Sequence, residues 1–333
     1  MEEYSYQDKP PVLPVDPAKE GESRRLRRAT WVVLLPAACF FAVTSFLREI
    51  ITFIGALLGA STEQLAAFTR APFVNEVLEI VLSLTLFTIP YILFMRIAGM
   101  RLTDTEGFCK PKKGTVLPHL LIGIGFCSFS NVAVSAAGEL LERFGIKDVS
   151  TSAGAKDGVW GLFMALLATA IVPALMEEFV FRGVLTTLLR PFGDAFCVLA
   201  TAAVFGMFHG NFEQIPFAFI IGLALGYIRV KSGSVAVCMA VHAANNTVSV
   251  LLTYGKLIIP SQYRSLIYTV YLLFALIAAI AGAALLKRRD DFAFEPPKRA
   301  LSAKETYAGF FLSPAIIIFF LMFLFRALKN LFL

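Results

Sequence analysis

Residues 158–189 read GVWGLFMALLATAIVPALMEEFVFRGVLTTLL, and this stretch decides the fold class. Its only charged residues are Glu177, Glu178 and Arg182. A helix that crosses a bilayer needs about 20 predominantly apolar residues, and this stretch is longer than that. It therefore predicts a transmembrane helix that carries charged groups inside the hydrophobic layer.

Apolar segments of this kind recur along most of the chain. Of its 333 residues, 57% are hydrophobic and 16% are charged, with a mean hydropathy of +0.72, whereas a soluble domain carries about 25% charged residues. The segments that we predict to be membrane helices are 31–58, 77–95, 116–136, 158–189, 195–209, 213–228, 234–254, 266–286 and 308–325. The sequence thus predicts an all-α, polytopic bundle of about 8–9 transmembrane helices with an intramembrane cavity.

The chain divides into four parts along these segments. Residues 1–29 form a polar tail that we expect to be disordered, 30–157 hold the first three transmembrane helices and a polar loop, 158–254 form the core, and 255–333 hold the C-terminal transmembrane helices. We interpret the Phe-rich part of the last segment as lipid-facing.

The basic residues lie in short clusters between the apolar segments, although the net charge is +6. This pattern indicates membrane orientation and not nucleic-acid binding. The clusters fall in alternate loops, so the positive-inside rule predicts a multi-pass protein of the cell membrane with a cytoplasmic N-terminus. The partners that we expect are the lipid bilayer and a membrane-bound or amphipathic peptide.

The two adjacent carboxylates are the first functional candidates, because ionisable groups deep in a membrane are costly. Glu178 and Arg182 are spaced i,i+4 with the acid first, which favours an ion pair. Glu177 points about 100° away on a helix of 3.6 residues per turn. We therefore expect Glu178 to be neutralised locally and Glu177 to face the bundle interior, beyond a kink at Pro173.

Two further pairs share a helical face in other apolar segments. Phe205 and His209 are spaced i,i+4, as are His242 and Asn246. Counted from the predicted cytoplasmic ends of their helices, Glu177 and His209 lie about 20 Å deep, and His242 and Asn246 about 12 and 18 Å deep. We therefore predict that these groups converge in one cavity within the bilayer.

Such a cluster suits hydrolysis. A carboxylate can act as general base on water, and imidazoles can hold a metal or stabilise an oxyanion. In a zinc version, His209 and His242 ligate the ion together with a carboxylate, and Asn246 donates to the tetrahedral intermediate. A metal-free version uses the same residues.

The three motifs resemble those of the CPBP intramembrane metalloprotease family, which is related to type II CAAX prenyl endopeptidases and to bacteriocin-processing and self-immunity proteins. They are E-E-x-x-x-R at Glu177, Glu178 and Arg182, F-x-x-x-H ending at His209, and H-x-x-x-N ending at Asn246. The resemblance implies a helical membrane protease in which Glu177 activates water. It also implies that Glu178, His209, His242 and Asn246 complete the site, with Arg182 and Phe205 as structural support.

Two other classes of function use the same residues. A transporter or proton relay also needs ionisable groups in a membrane, although no matching motif occurs in the other half of the chain, as a duplicated transporter would show. A non-catalytic scaffold or immunity protein could keep the fold and act by binding. The structural alternative is that the polar pairs only hold helices together.

Overall fold

The structure is a computed structural model that describes residues 16–97, 99, 101, 110–143, 158–212, 214–288, 293–294 and 299–332. This part of the chain is helical and contains no strand, and the predicted polytopic helical membrane fold is confirmed. The α-helices are α1 (Pro17–Leu57), α2 (Thr62–Arg70), α3 (Pro72–Leu82), α4 (Thr88–Ile97), α5 (Val116–Arg143), α6 (Gly158–Ala165), α7 (Val172–Glu178), α8 (Thr186–Leu189), α9 (Asp194–Phe208), α10 (Gln214–Ser232), α11 (Val235–Ile258), α12 (Ser261–Lys287), α13 (Ala303–Phe311) and α14 (Pro314–Phe332). Three π-helical segments, Ser83–Phe87, Leu166–Ile171 and Phe179–Leu185, connect some of them.

Six helices of the described part are long and apolar enough to cross a membrane. They are Pro17–Leu47, Glu76–Ile97, Gly158–Phe192, Gln214–Ser232, Val235–Ile258 and Ser261–Lys287. Ala303–Phe311 and Pro314–Lys329, bent by 50°, make a seventh if they count as one span. Two predicted segments correspond to shorter apolar helices, Val116–Val132 and Asp194–Phe208. The spans that meet the length criterion are therefore six or seven, and the predicted eight or nine include these two short helices.

The N-terminal helix begins earlier than the sequence predicted. The Asp16 carboxylate accepts a hydrogen bond from the Ala18 backbone N–H at 2.9 Å, and Pro17 occupies the first turn. Both features favour a helix start. Glu22 also accepts hydrogen bonds from two backbone N–H groups just before α13, at 2.6 and 3.1 Å. The expected disorder is therefore wrong for 17–29, while residues 1–15 lie outside the described part.

The Phe-rich helix α14 is only partly lipid-facing, so our interpretation of it was wrong for one face. Phe319 and Phe323 are fully buried, and the Phe323 ring lies 4.8 Å from that of Phe208 in α9. Phe325, on another face of the helix, is 63% exposed. An i,i+4 pair of rings thus packs α14 against the core.

Helices α9 and α10 approach each other closely because small residues meet at their interface. A Cβ atom on Gly222 would lie 2.9 Å from Cα of Ala202, and one on Gly206 would lie 2.9 Å from Cβ of Phe219. Small residues commonly allow such close helix packing in membranes. The contact brings the backbone of α10 next to Arg182, in the π-helical segment that follows α7.

Candidate active site

Helix α7, which carries both glutamates, is flanked by π-helical segments at 166–171 and 179–185. Pro173 has no N–H with which to bond the carbonyl of Thr169, four residues earlier. That carbonyl accepts a hydrogen bond from Asn246 Nδ2 of α11 at 3.0 Å. The irregular backbone at Pro173 is therefore satisfied by one of the residues that the sequence predicted for the site.

Glu178 and Arg182 form a buried ion pair. Arg182 Nη1 donates to Glu178 Oε1 at 2.8 Å, and neither side chain is exposed. Arg182 Nη2 donates to the Gly222 carbonyl at 3.2 Å, and the guanidinium lies 4.6 Å from the centre of the Phe205 ring. The structure thus contains the local ion pair that the i,i+4 spacing predicted for Glu178. Helix α10 holds the arginine in place through the Gly222 carbonyl.

His242 links the two glutamates. Its Nδ1 lies 2.8 Å from Glu178 Oε1, and its Nε2 lies 4.0 Å from Glu177 Oε2. Because a carboxylate can only accept, the hydrogen bond to Glu178 puts a proton on Nδ1. In neutral His242 the lone pair of Nε2 therefore faces the side of Glu177.

Glu177 and His209 line one cavity of about 330 Å³. The Glu177 side chain is 27% exposed, in contrast to its buried neighbour. The rest of the wall is largely aromatic and comes from Phe40, Phe87, Phe181, Phe205 and Phe208. A carboxylate and an imidazole thus line one pocket with a largely aromatic wall, while the buried Glu178 is not among the lining residues.

Phe205 lies at the centre of the polar groups. Its ring is 5.0 Å from that of His209 and 6.0 Å from that of His242, both edge-on. Its carbonyl bonds His209 Nδ1 at 2.9 Å. Since a carbonyl only accepts, this bond puts the His209 proton on Nδ1 and directs Nε2 away from its own helix.

A chain of amides extends from Asn246 and was missed by sequence reasoning. Asn131 Nδ2 of α5 donates to Asn245 Oδ1 at 3.0 Å, and Asn245 Nδ2 donates to Asn246 Oδ1 at 3.0 Å. Of the four groups that we predicted to converge in one cavity, Glu177 and His209 line it, whereas His242 and Asn246 are not among its lining residues. The signal for Asn131 was an amide inside an apolar segment, and that for Asn245 was its place next to a motif residue.

The sequence did not assign two charged residues of the cavity wall to the site, and Glu79 was interpreted as an interfacial or helix-pairing group. Glu79 of α3 and Arg326 of α14 line the same pocket as Glu177 and His209. Both are ionisable groups within or at the edge of apolar segments, which is a functional signal in membranes. They belong to no motif, so their position could only be learned from the fold.

The described side chains show no arrangement that matches the predicted zinc site. A catalytic zinc ion usually has three protein ligands. Within the part of the chain that the structure describes, no group of three or more His, Cys, Asp or Glu side chains could hold a metal ion. Zinc bound by His209 and His242 stays a prediction, and we derive no step through it.

Fold and site together define a multi-pass helical membrane protein with a polar, partly charged cavity inside its apolar spans. Residues 159–248 of this protein match the family Type II CAAX prenyl endopeptidase Rce1-like. The match confirms the resemblance predicted from the three motifs and implies protease activity at a membrane. No curated protein and no solved structure matches the chain.

Proposed function

We propose that this protein is an intramembrane endopeptidase that hydrolyses a peptide bond of a membrane-associated substrate. The observation that carries the proposal is the contrast between two adjacent glutamates. Glu178 is buried and paired, whereas Glu177 is partly exposed in a cavity beside His209. An ion pair that only held helices together would need Glu178 and not Glu177.

Glu177 acts as the general base in the proposed reaction. Its Oε2 and His242 Nε2 are 4.0 Å apart, a separation at which one water molecule can donate hydrogen bonds to both atoms. Glu177 takes a proton as the water oxygen bonds to the scissile carbonyl carbon. The same proton then passes to the leaving amine as the carbon–nitrogen bond breaks.

His209 stabilises the oxyanion of the tetrahedral intermediate. Its Nδ1 already donates to the Phe205 carbonyl, so Nε2 can donate only in the imidazolium form. Glu177 lies on the same cavity wall, on the side of the pocket where the water is activated. Asn246 holds the backbone at Thr169 and thereby positions α7.

Glu178, Arg182 and Phe205 orient the reacting groups. Glu178 fixes the tautomer and ring orientation of His242, and Arg182 compensates the charge of Glu178. The aromatic part of the cavity wall suits an amphipathic or prenylated peptide, and a prenylated substrate is the one that the family name carries. A bacteriocin-like peptide is the other substrate that the resemblance implies.

Cleavage by the purified protein in lipid vesicles tests the proposal. The substrates are prenylated CAAX-type peptides and unprenylated amphipathic peptides, and the variants are Glu177→Gln and His209→Ala. We expect the wild type to cut at least one peptide and Glu177→Gln to lose at least about a hundredfold in kcat. Unchanged cleavage in both variants contradicts the assignment. Flux across the vesicles that requires Glu177, without cleavage, indicates the transporter or proton relay.

A further inference from the structure

Arg326 is a charged group of the cavity wall that the proposed reaction does not use. It lies in α14, about 18 Å along the helix from Pro314, and outside the segment that matches the family. It nevertheless lines the same pocket as Glu177 and His209. Helix α14 therefore contributes a cation to a cavity whose other lining residues come from other segments of the chain.

The Arg326 side chain is held close to His209 by the backbone. Gly210 follows His209 with a positive φ of 62°, and a Cβ atom at Gly210 would lie 2.9 Å from Arg326 Cδ. The arginine stem thus occupies the space that the missing side chain leaves. This contact places Arg326 beside the turn that ends the histidine helix.

The guanidinium of Arg326 has few partners among the residues that the structure describes. Among the described residues, its only hydrogen bond goes from Nη1 to Thr44 Oγ1, and it is long, at 3.4 Å. A guanidinium has five N–H donors, and holding even a half-buried one among apolar spans is costly without an anion. Glu79 and Glu177 line the same pocket, yet in this part of the chain neither forms an ion pair with Arg326.

We propose that Arg326 binds a carboxylate of the peptide substrate and so fixes the position of the peptide in the cavity. The inference rests on the proposed function and adds the substrate group that the cavity recognises. A carboxylate matches the planar guanidinium in two parallel hydrogen bonds. The group is either the C-terminal carboxylate of the peptide or an acidic side chain.

Matched peptides test this assignment in the full-length protein. One prenylated CAAX-type peptide is made with a free C-terminus and with a carboxamide, and a third form carries Asn in place of any Asp. We expect a preference for the carboxylate form of about tenfold to hundredfold in kcat/KM, as for the loss of a charge-assisted hydrogen bond. Arg326→Gln should abolish this preference by lowering kcat/KM for the carboxylate peptide. It should change kcat/KM for the carboxamide peptide by no more than about twofold.

Two further variants control the experiment. Lys329→Gln removes the same charge from an exposed position one turn along α14 and should leave the preference intact. Arg326→Lys keeps the charge without the planar fork and should retain part of it. If Arg326→Gln does not fold, Arg326→Lys carries the comparison.

Several outcomes overturn the proposal. One is a carboxylate preference that survives in Arg326→Gln, and another is an equal loss for all peptides. If the double variant Glu79→Gln/Arg326→Gln regains the full preference for the carboxylate peptide, Arg326 only balances the charge of Glu79.

A preference that follows the Asp-to-Asn change supports the proposal and identifies an acidic side chain as the bound group.

Binding separates this proposal from the proposed function. Fluorescence anisotropy of the labelled peptides is measured with Glu177→Gln, which retains the cavity but lacks the base. If the wild type cuts nothing while carboxylate-dependent binding is lost on adding Arg326→Gln, peptidase activity fails and the carboxylate site stands. If cleavage occurs without any carboxylate dependence in rate or binding, the peptidase activity stands and the carboxylate site fails.

Discussion

Removing Arg182 should destabilise the protein more than any other change at the site. Arg182→Met leaves Glu178 without its cation in a position where neither side chain is exposed. Removal of one partner from a buried ion pair costs about 3–5 kcal/mol, and the lost bond to the Gly222 carbonyl adds about 1 kcal/mol. Since folded proteins are stable by about 5–15 kcal/mol, the expected loss is a large share of the total.

Unfolding of the purified protein in a constant detergent measures this loss. The singles Arg182→Met and Glu178→Gln are compared with the double variant and with the wild type. Because the double variant leaves no unpaired buried charge, its loss should fall short of the sum of the singles by about 2 kcal/mol. Glu177→Gln serves as the control, since Glu177 is partly exposed and should cost less than about 1 kcal/mol.

Two results would refute this reasoning. The first is a loss below about 1 kcal/mol for Arg182→Met, which would mean that Glu178 is neutral or hydrated without it. The second is simple additivity of the two singles, which would show that the ion pair is not the coupling between them. Either result removes the argument that Glu178 is a structural carboxylate.

Three further predictions concern the surroundings of the site. Asn245→Ala breaks the amide chain to Asn246 and should lower kcat by about tenfold while Tm shifts little, whereas Asn245→Gln should recover part of kcat. Gly222→Val places a side chain against Ala202 and should cost about 1–3 kcal/mol in unfolding experiments; an unchanged Tm contradicts the close α9–α10 contact. Dialysis against a strong chelator should leave kcat unchanged if Glu177 acts without metal, and a loss that zinc alone restores would support the zinc version.

The helices and the ion pair were predictable because both depend on local spacing. Long apolar segments indicate the positions and order of the membrane helices, and an i,i+4 acid–base pair such as Glu178 and Arg182 meets on any helix. The exposure of Glu177 followed from the same geometry. These features require no knowledge of which helices are neighbours.

Features that depend on neighbouring helices were not predictable from one sequence. A helical wheel shows that Phe319 and Phe323 share a face, but not that Phe208 lies opposite that face. The π-helical backbone before Pro173 requires a donor from another helix, and Asn246 supplies it. The N-terminal helix was missed because its polar composition suggested disorder, although Asp16 and Pro17 carried a helix-start signal.

The cavity combines groups from two sources along the chain. Glu177 and His209, which line the cavity, lie within the segment that matches the family, 159–248, and so does the neighbouring His242. The wall residues from outside that segment come from α1, α3, α14 and the π-helical segment Ser83–Phe87, and they include Phe40, Glu79 and Arg326. The reacting groups depend on buried contacts that few substitutions would leave intact, whereas a wall residue can change without unpairing a buried charge. We therefore expect changes in α1, α3 and α14 to alter which peptide is cut, and changes in the matched segment to abolish cutting altogether.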